Sequence, residues 1–136
     1  MAASDKPMTA RQYRALADFR YELRRFLRYS EEVTRRHGLT PLKYQLLLQV
    51  KGCGPATIGE LAERLQAKHH GMVALVTRCA KAGLVVRGEN PDDRRAVRVR
   101  LTAKGERALE KLARLHRNEL LAIQGRLPFP SFTGLE

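Results

Sequence analysis

The sequence predicts a mostly α-helical fold with a small β-hairpin wing. Three observations lead there: apolar residues recur at helical spacing over most of the chain, one stretch switches to strand alternation, and Thr, Pro and Gly mark where segments start and stop. The switch lies around NPDDRRAVRVRLTAKG, residues 90–105. Gly88, Asn90, Pro91, Asp92 and Asp93 supply turn chemistry, after which Val97, Val99 and Leu101 alternate with Arg98 and Arg100. One face of that hairpin is apolar and the other is cationic.

Residues 10–37 place Tyr13, Leu16, Phe19, Leu23, Phe26, Leu27 and Val33 at helical spacing among Arg and Glu, which predicts one long helix. At 1.5 Å per residue it runs about 40 Å, longer than a domain of this size buries by itself, so part of its apolar face needs a second subunit. Gly38 ends it. Thr40 and Pro41 start the next helix, because Thr caps free amides and Pro at the first helical position gives up an amide that would be unpaired anyway. Leu42, Leu46, Leu47 and Val50 form its buried side. The GCGP run, residues 52–55, breaks it. Thr57 and Glu60 then have the T-x-x-E spacing of a capping box, opening a short helix with Leu61 and Leu65 inward. After a turn at Gln66 and Ala67, residues 68–82 form another helix, with Met72, Leu75, Val76 and Cys79 on one side and Gly83 as its stop. Residues 84–87 enter the hairpin. Thr102 caps a final helix over residues 103–124, whose broad stripe carries Leu109, Leu112, Leu115, Leu120 and Ile123. The remainder, RLPFPSFTGLE, contains Pro128 and Pro130 and reads as irregular.

Two short helices joined by a tight turn and followed at once by a hairpin make a winged helix-turn-helix, with residues 68–82 as its recognition helix. A chain of 136 residues with 43% hydrophobic content is one globular unit. Within it, residues 1–38 form an N-terminal dimerisation helix, 39–102 the DNA-binding domain, and 103–136 a C-terminal dimerisation helix and tail. Twenty-six Lys and Arg against 14 Asp and Glu give +12, which points to phosphate-rich partners; each of the segments 1–38, 39–84 and 85–136 is +4, so the charge sits on the folded body and not on a basic tail. No apolar run has signal-peptide or membrane-spanning length, and the expected location is the cytoplasm. Cys53 and Cys79 have neither CxxC spacing nor a nearby His pair, which argues against a disulfide framework or a zinc site. No paired carboxylates in an apolar setting, no Ser-His-Asp arrangement and no phosphate-cradling loop are present, so an enzyme is not expected and no cofactor is called for.

The segments GLTPLKYQLLLQV, TIGELAERLQAKHHGMVALVTRCAKAGLVVR and DDRRAVRVRLTAKG resemble the MarR family of bacterial transcriptional regulators. Asp93, Arg95, Leu101, Thr102 and Gly105 fit that family's wing signature, and KHHGMVALV is similar to members with paired histidines at the head of the recognition helix. The resemblance spans roughly residues 10–124. It implies a dimeric regulator, usually a repressor, that binds a pseudo-palindromic site in double-stranded DNA and in many relatives answers to a small aromatic or phenolic effector. It also implies dimerisation through the first and last helices, here Tyr13, Leu16, Phe19 and Leu23 with Leu112, Leu115, Leu120 and Ile123. The family ends in two helices, whereas Pro128 and Pro130 interrupt the second here.

Physical chemistry assigns the remaining roles. The start of a recognition helix reaches base edges in the major groove, so His69 and His70 are the base-edge candidates, Lys68 suits phosphate, and Val73 and Ala74 suit thymine methyls; Thr77 and Arg78 complete the outward face. Otherwise the two histidines are simply an exposed helix start. A metal site is disfavoured, because adjacent helical residues diverge by about 100° and no third ligand is near. In the wing, Arg94 and Arg95 suit a narrow minor groove, and the resemblance implies that Asp93 orients an arginine. Asp92 reads as a turn residue, while Arg98 and Arg100 are phosphate contacts or solvated side chains. Tyr44, His37 and Arg20 lie on segments that could border an effector cleft, and Cys53 is the accessible thiol for any redox response. The competing function is a nonspecific or architectural DNA-binding protein of the same fold, which an evenly spread charge permits.

Overall fold

The structure, a computed structural model, describes residues 5–90 and 93–123, and of residues 89, 90 and 93–96 the backbone alone. Helix α1 (Ala10–Arg36) opens with a capping box: the Thr9 hydroxyl accepts from the Gln12 amide and the Gln12 side chain accepts from the Thr9 amide. Gly38, at φ +81°, turns the chain out of it. The buried residues of α1 are Val33 and Thr34, both near its C-terminal end, while Tyr13 is 61% exposed. The buried part of the long helix is therefore its C-terminal end, while Tyr13, Leu16 and Leu23 of its apolar stripe are exposed. Thr34 Oγ1 is buried and finds no hydrogen-bond partner among the described residues.

Helix α2 (Pro41–Cys53) begins as expected, with Thr40 Oγ1 accepting from the Lys43 amide at 3.2 Å and Pro41 in the first turn. It buries Leu46, Leu47, Val50 and also Tyr44, whereas Leu42 is exposed. Leu42 shares the helical face of Leu46, yet it sits in the first turn and is 54% exposed, with no described element covering it. Strand β1 (Ala56–Thr57) leads into α3 (Ile58–Arg64), with the Thr57 hydroxyl accepting from the Glu60 amide and donating to its carboxylate. A turn through Gln66, at φ +51°, connects to α4 (His69–Lys81), which buries Met72, Leu75, Val76 and Cys79.

Strands β2 (Val85–Asn90) and β3 (Asp93–Leu101) form the hairpin, and β1 adds to the other edge of β3, giving an antiparallel sheet of order β1-β3-β2. The register pairs Ala56 with Val99, Arg87 with Val99 from the opposite side, and Asn90 with Asp93. The hairpin is longer than the sequence pattern indicates: Gly88, Asn90 and Asp93, read there as turn residues, lie in strands. Strand alternation requires burial on one face, and that holds only at the base, where Val99 is buried and Val97 is already exposed. Two-residue β1 has no periodicity to detect, and the edge of β3 supplies its partner.

Helix α5 (Ala103–Ala122) leaves β3 through a tight junction. Thr102 Oγ1 accepts from the Gly105 amide at 3.0 Å and donates to the Gly83 carbonyl at 2.6 Å, while Lys104 Nζ donates to the Ala82 carbonyl at 2.9 Å. The start of α5 is thus fastened to the end of α4. Leu46, Leu47, Leu61, Met72, Val76, Val85, Val99 and Leu112 fill the shared core. The expected tail after residue 123, including Pro128 and Pro130, lies outside the described residues.

Gly105 packs against backbone, and a Cβ there would run into the Leu84 carbonyl group. Neither partner is the end of a flexible side chain, so the helix start must shift. Gly105→Ala is expected to destabilise the domain by about 2–3 kcal/mol in denaturant unfolding; an unchanged midpoint would mean that the junction is slack.

Candidate nucleic-acid interface

Helix α4 is locked along one face and free along the other. Its first turn carries exposed His69 and His70, with Lys68 as an N-cap that makes no side-chain capping bond. Val73, Ala74 and Arg78 are exposed further along, and Lys68 and Arg78 are in none of the ion pairs found among the described residues. Free amides at the start of a helix add a partial positive charge to this face. The fold thus brings the sequence-assigned residues of this helix together on one surface, except for Thr77. That residue is half-buried and committed within the chain: its hydroxyl donates to the Val73 carbonyl at 2.9 Å and accepts from Arg87 Nη2 at 2.6 Å.

The wing flanks this helix through β2 and β3. Backbone positions of Asp93, Arg94 and Arg95 fall at the start of β3, next to the hairpin end. Their side chains lie outside the described ones. Arg98 is half-buried and turned to the body, its Nη1 donating to the Pro55 carbonyl at 3.3 Å and standing 3.7 Å from the Glu60 carboxylate. An arginine read as a wing contact is thereby engaged with the start of α3. Arg100, on the same strand face, stays exposed.

Behind the interface, α1, α2 and α5 meet at His116, a residue that sequence reasoning passed over. His116 is 6% exposed, stacks on Tyr44 at 4.4 Å between ring centroids and 13° between planes, and meets Phe26 and Tyr29 edge-on. Its Nδ1 lies 2.7 Å from the Leu112 carbonyl and its Nε2 2.7 Å from Ser30 Oγ. A carbonyl only accepts, so Nδ1 carries a proton and donates to Leu112. The signal was available, since His116 continues the buried row of Leu109 and Leu112 by one turn. An open cleft of about 470 Å³ lies alongside, lined by Tyr44, Leu48, Ala113, His116, Arg117, Leu120 and Leu121. Tyr44 therefore borders this cleft, whereas His37, whose ring Nδ1 is bonded to the Val33 carbonyl, and Arg20 are not among its lining residues. Burial pushes the Tyr44 hydroxyl pKa up.

The residues assigned to dimerisation divide in two. Tyr13, Leu16, Leu23 and Leu120 are exposed, and Phe19 and Leu115 are half-buried; Leu112 and Ile123 are buried within the chain and present no surface to a partner. No group of three or more His, Cys, Asp or Glu among the described residues is arranged to hold a metal. Among those residues, no helix is long and apolar enough to cross a membrane. Cys53 is exposed beside a second cavity of about 430 Å³ between α2 and α3, while Cys79 is buried and its thiol pKa is raised by desolvation against the lowering effect of Lys43 and Arg78. A maleimide should label Cys53 in the native chain and reach Cys79 only on unfolding. Equal native labelling of both thiols, read by mass spectrometry after digestion, would contradict that packing.

Residues 37–96 match the sequence profile of the MarR family. Over 133 residues the chain is 31% identical to the HTH-type transcriptional regulator YsmB of Bacillus subtilis, covering 95% of this chain and 88% of that protein. An HTH-type transcriptional regulator of Bacillus cereus is 35% identical over 82 residues, or 60% of this chain and 54% of the relative, so the chain spans about half the length of that protein. Among solved structures, a MarR family protein from Bacillus stearothermophilus superposes with a TM-score of 0.77 at 25% identity, covering 95% of this chain and 87% of that one. A mutant MarR from E. coli complexed with operator DNA shares the fold, with a TM-score of 0.64 at 22% identity over 82% of this chain and 78% of that one. Together with a winged helix-turn-helix built from its own caps and core, these likenesses place the chain in the MarR family of transcription regulators, to which it belongs.

Proposed function

We propose that this chain is a sequence-specific, dimeric repressor that acts in the cytoplasm on a pseudo-palindromic operator. The observation that carries this reading is the first turn of α4, where His69 and His70 stand exposed on a helix whose opposite face is fixed in the core. In the proposed complex that turn enters the major groove, with Lys68 on phosphate, Val73 and Ala74 at thymine methyls, Arg78 further along, and Asp93, Arg94 and Arg95 at the wing. The exposed stripe of α1, with Leu120 and Leu121 of α5, supports pairing with a second copy. Two-fold pairing would set half-sites about one helical turn apart, on the order of 34–36 Å.

Selection of duplexes from a randomised pool at near-physiological salt should enrich an inverted repeat with that spacing. His69→Ala with His70→Ala should then weaken operator binding on the order of 10- to 100-fold while leaving binding to random DNA nearly unchanged. Binding without enrichment would instead identify a nonspecific coating protein, whose affinity falls steeply with salt.

We further propose that the Tyr44–His116 cleft receives a small aromatic acid that releases DNA. Two stacked rings supply an aromatic wall and Arg117 a cation. A phenolic acid should lower operator affinity of the unaltered chain and act much more weakly on Arg117→Ala; equal effects on both would remove the cleft from the mechanism.

A further inference from the structure

Arg87 stands on β2, the first strand of the wing, and reaches sideways to the recognition helix. Its Nη2 donates to Thr77 Oγ1 at 2.6 Å, and that hydroxyl gives its own proton to the Val73 carbonyl at 2.9 Å. Because the hydroxyl proton is spent on Val73, its lone pairs are left to the guanidinium, so the contact has one sense only. Around it, hydrogen bonds fasten the start of α5 to the end of α4, Thr102 to the Gly83 carbonyl and Lys104 to the Ala82 carbonyl, and the Thr102 amide donates to the Leu84 carbonyl. At the base of the hairpin, Val85 and Val99 lie in the core cluster with Met72 and Val76, and β1 pairs with β3. These contacts fix the inner end of the hairpin against α4. Arg87 makes the contact further out, from the strand position paired with Val99 to the helix turn that carries Val73 and Ala74.

From this geometry we infer that Arg87 is a positioning residue, which sets the angle between wing and recognition helix by gripping Thr77 and does not itself contact DNA. The inference rests on the DNA-binding reading above. Helix and wing would enter neighbouring grooves of one duplex, and a rigid angle between them makes readout in the two grooves a single event. Losing the angle costs specific binding, which needs both elements in register, and leaves nonspecific attraction to phosphate in place.

The test is a double-substitution cycle on the full chain, using the duplex enriched by selection and a random duplex as probes. Arg87→Ala and Thr77→Val should each lower operator affinity about 10-fold, the scale of one hydrogen bond to a charged group. The double variant should lose no more than the worse single one, Thr77→Ser should bind as the unaltered chain does, and random-duplex affinity and salt dependence should stay in place. Additive losses, with a salt slope reduced by about one for Arg87→Ala, would overturn the inference and put Arg87 on a phosphate. A fall in melting temperature with an unchanged operator-to-random ratio would overturn it too, leaving a contact that serves stability alone. If the unaltered chain shows no operator preference, the regulator reading itself fails and the inference falls with it.

Discussion

A buried imidazole stands at the junction of three helices and touches all of them. His116 sits where α1, α2 and α5 converge, hydrogen-bonded through one nitrogen to its own helix and through the other to Ser30 of α1, with its face on Tyr44 of α2. Each of these contacts is worth about 1 kcal/mol on its own. Their importance lies in geometry, because α1 buries little else in this chain than Val33 and Thr34 near its end. His116 lies against the C-terminal half of α1, the half that holds the buried residues of that helix. In the proposed dimer, the tilt of α1 at this junction would govern how far apart two recognition helices stand. The same ring forms part of the cleft wall, so the effector proposed for that cleft would touch the junction directly.

Charge plays a different part. On α1 and α5, Arg14 with Asp18, Arg28 with Glu32 and Arg114 with Glu110 are exposed pairs within one helix, and such pairs contribute only a few tenths of a kcal/mol each. They offset only part of the basic excess on those helices. Lys68 and Arg78 on α4 are outside the ion pairs found among the described residues, so that helix also presents cations where it is exposed. The field of a +12 chain favours approach to an anionic partner, and in the proposed complex a few uncharged groups on α4 are left to discriminate sequence.

Much of the architecture was legible because local rules carry it. Thr9, Thr40, Thr57 and Thr102 each cap a helix, and three of these caps were readable from residues placed before an apolar period. The rows Met72, Leu75, Val76, Cys79 and Leu46, Leu47, Val50 are buried as their spacing requires. Misreadings occurred where the neighbour of a residue, and not its spacing, determines its fate. Leu42 has the right phase and no cover. Leu112 and Ile123 have the phase of an interface and are consumed by the chain's own core. Thr77 and Arg98 have partners within the chain that their spacing does not announce, Arg87 and the Pro55 carbonyl.

By itself the sequence determined the order of helices and hairpin, the inward rows, the turn between α3 and α4, and the exposed histidine pair at the head of α4. Each follows from contacts or caps within a few residues of chain, and short-range periodicity records those faithfully. Tertiary structure alone decided that Ala56 and Thr57 become a strand, that His116 is a buried junction, and that Arg87 braces the recognition helix. These depend on partners 10 to 86 residues away along the chain. A side chain's spacing states which way it faces; only the folded chain supplies what it meets.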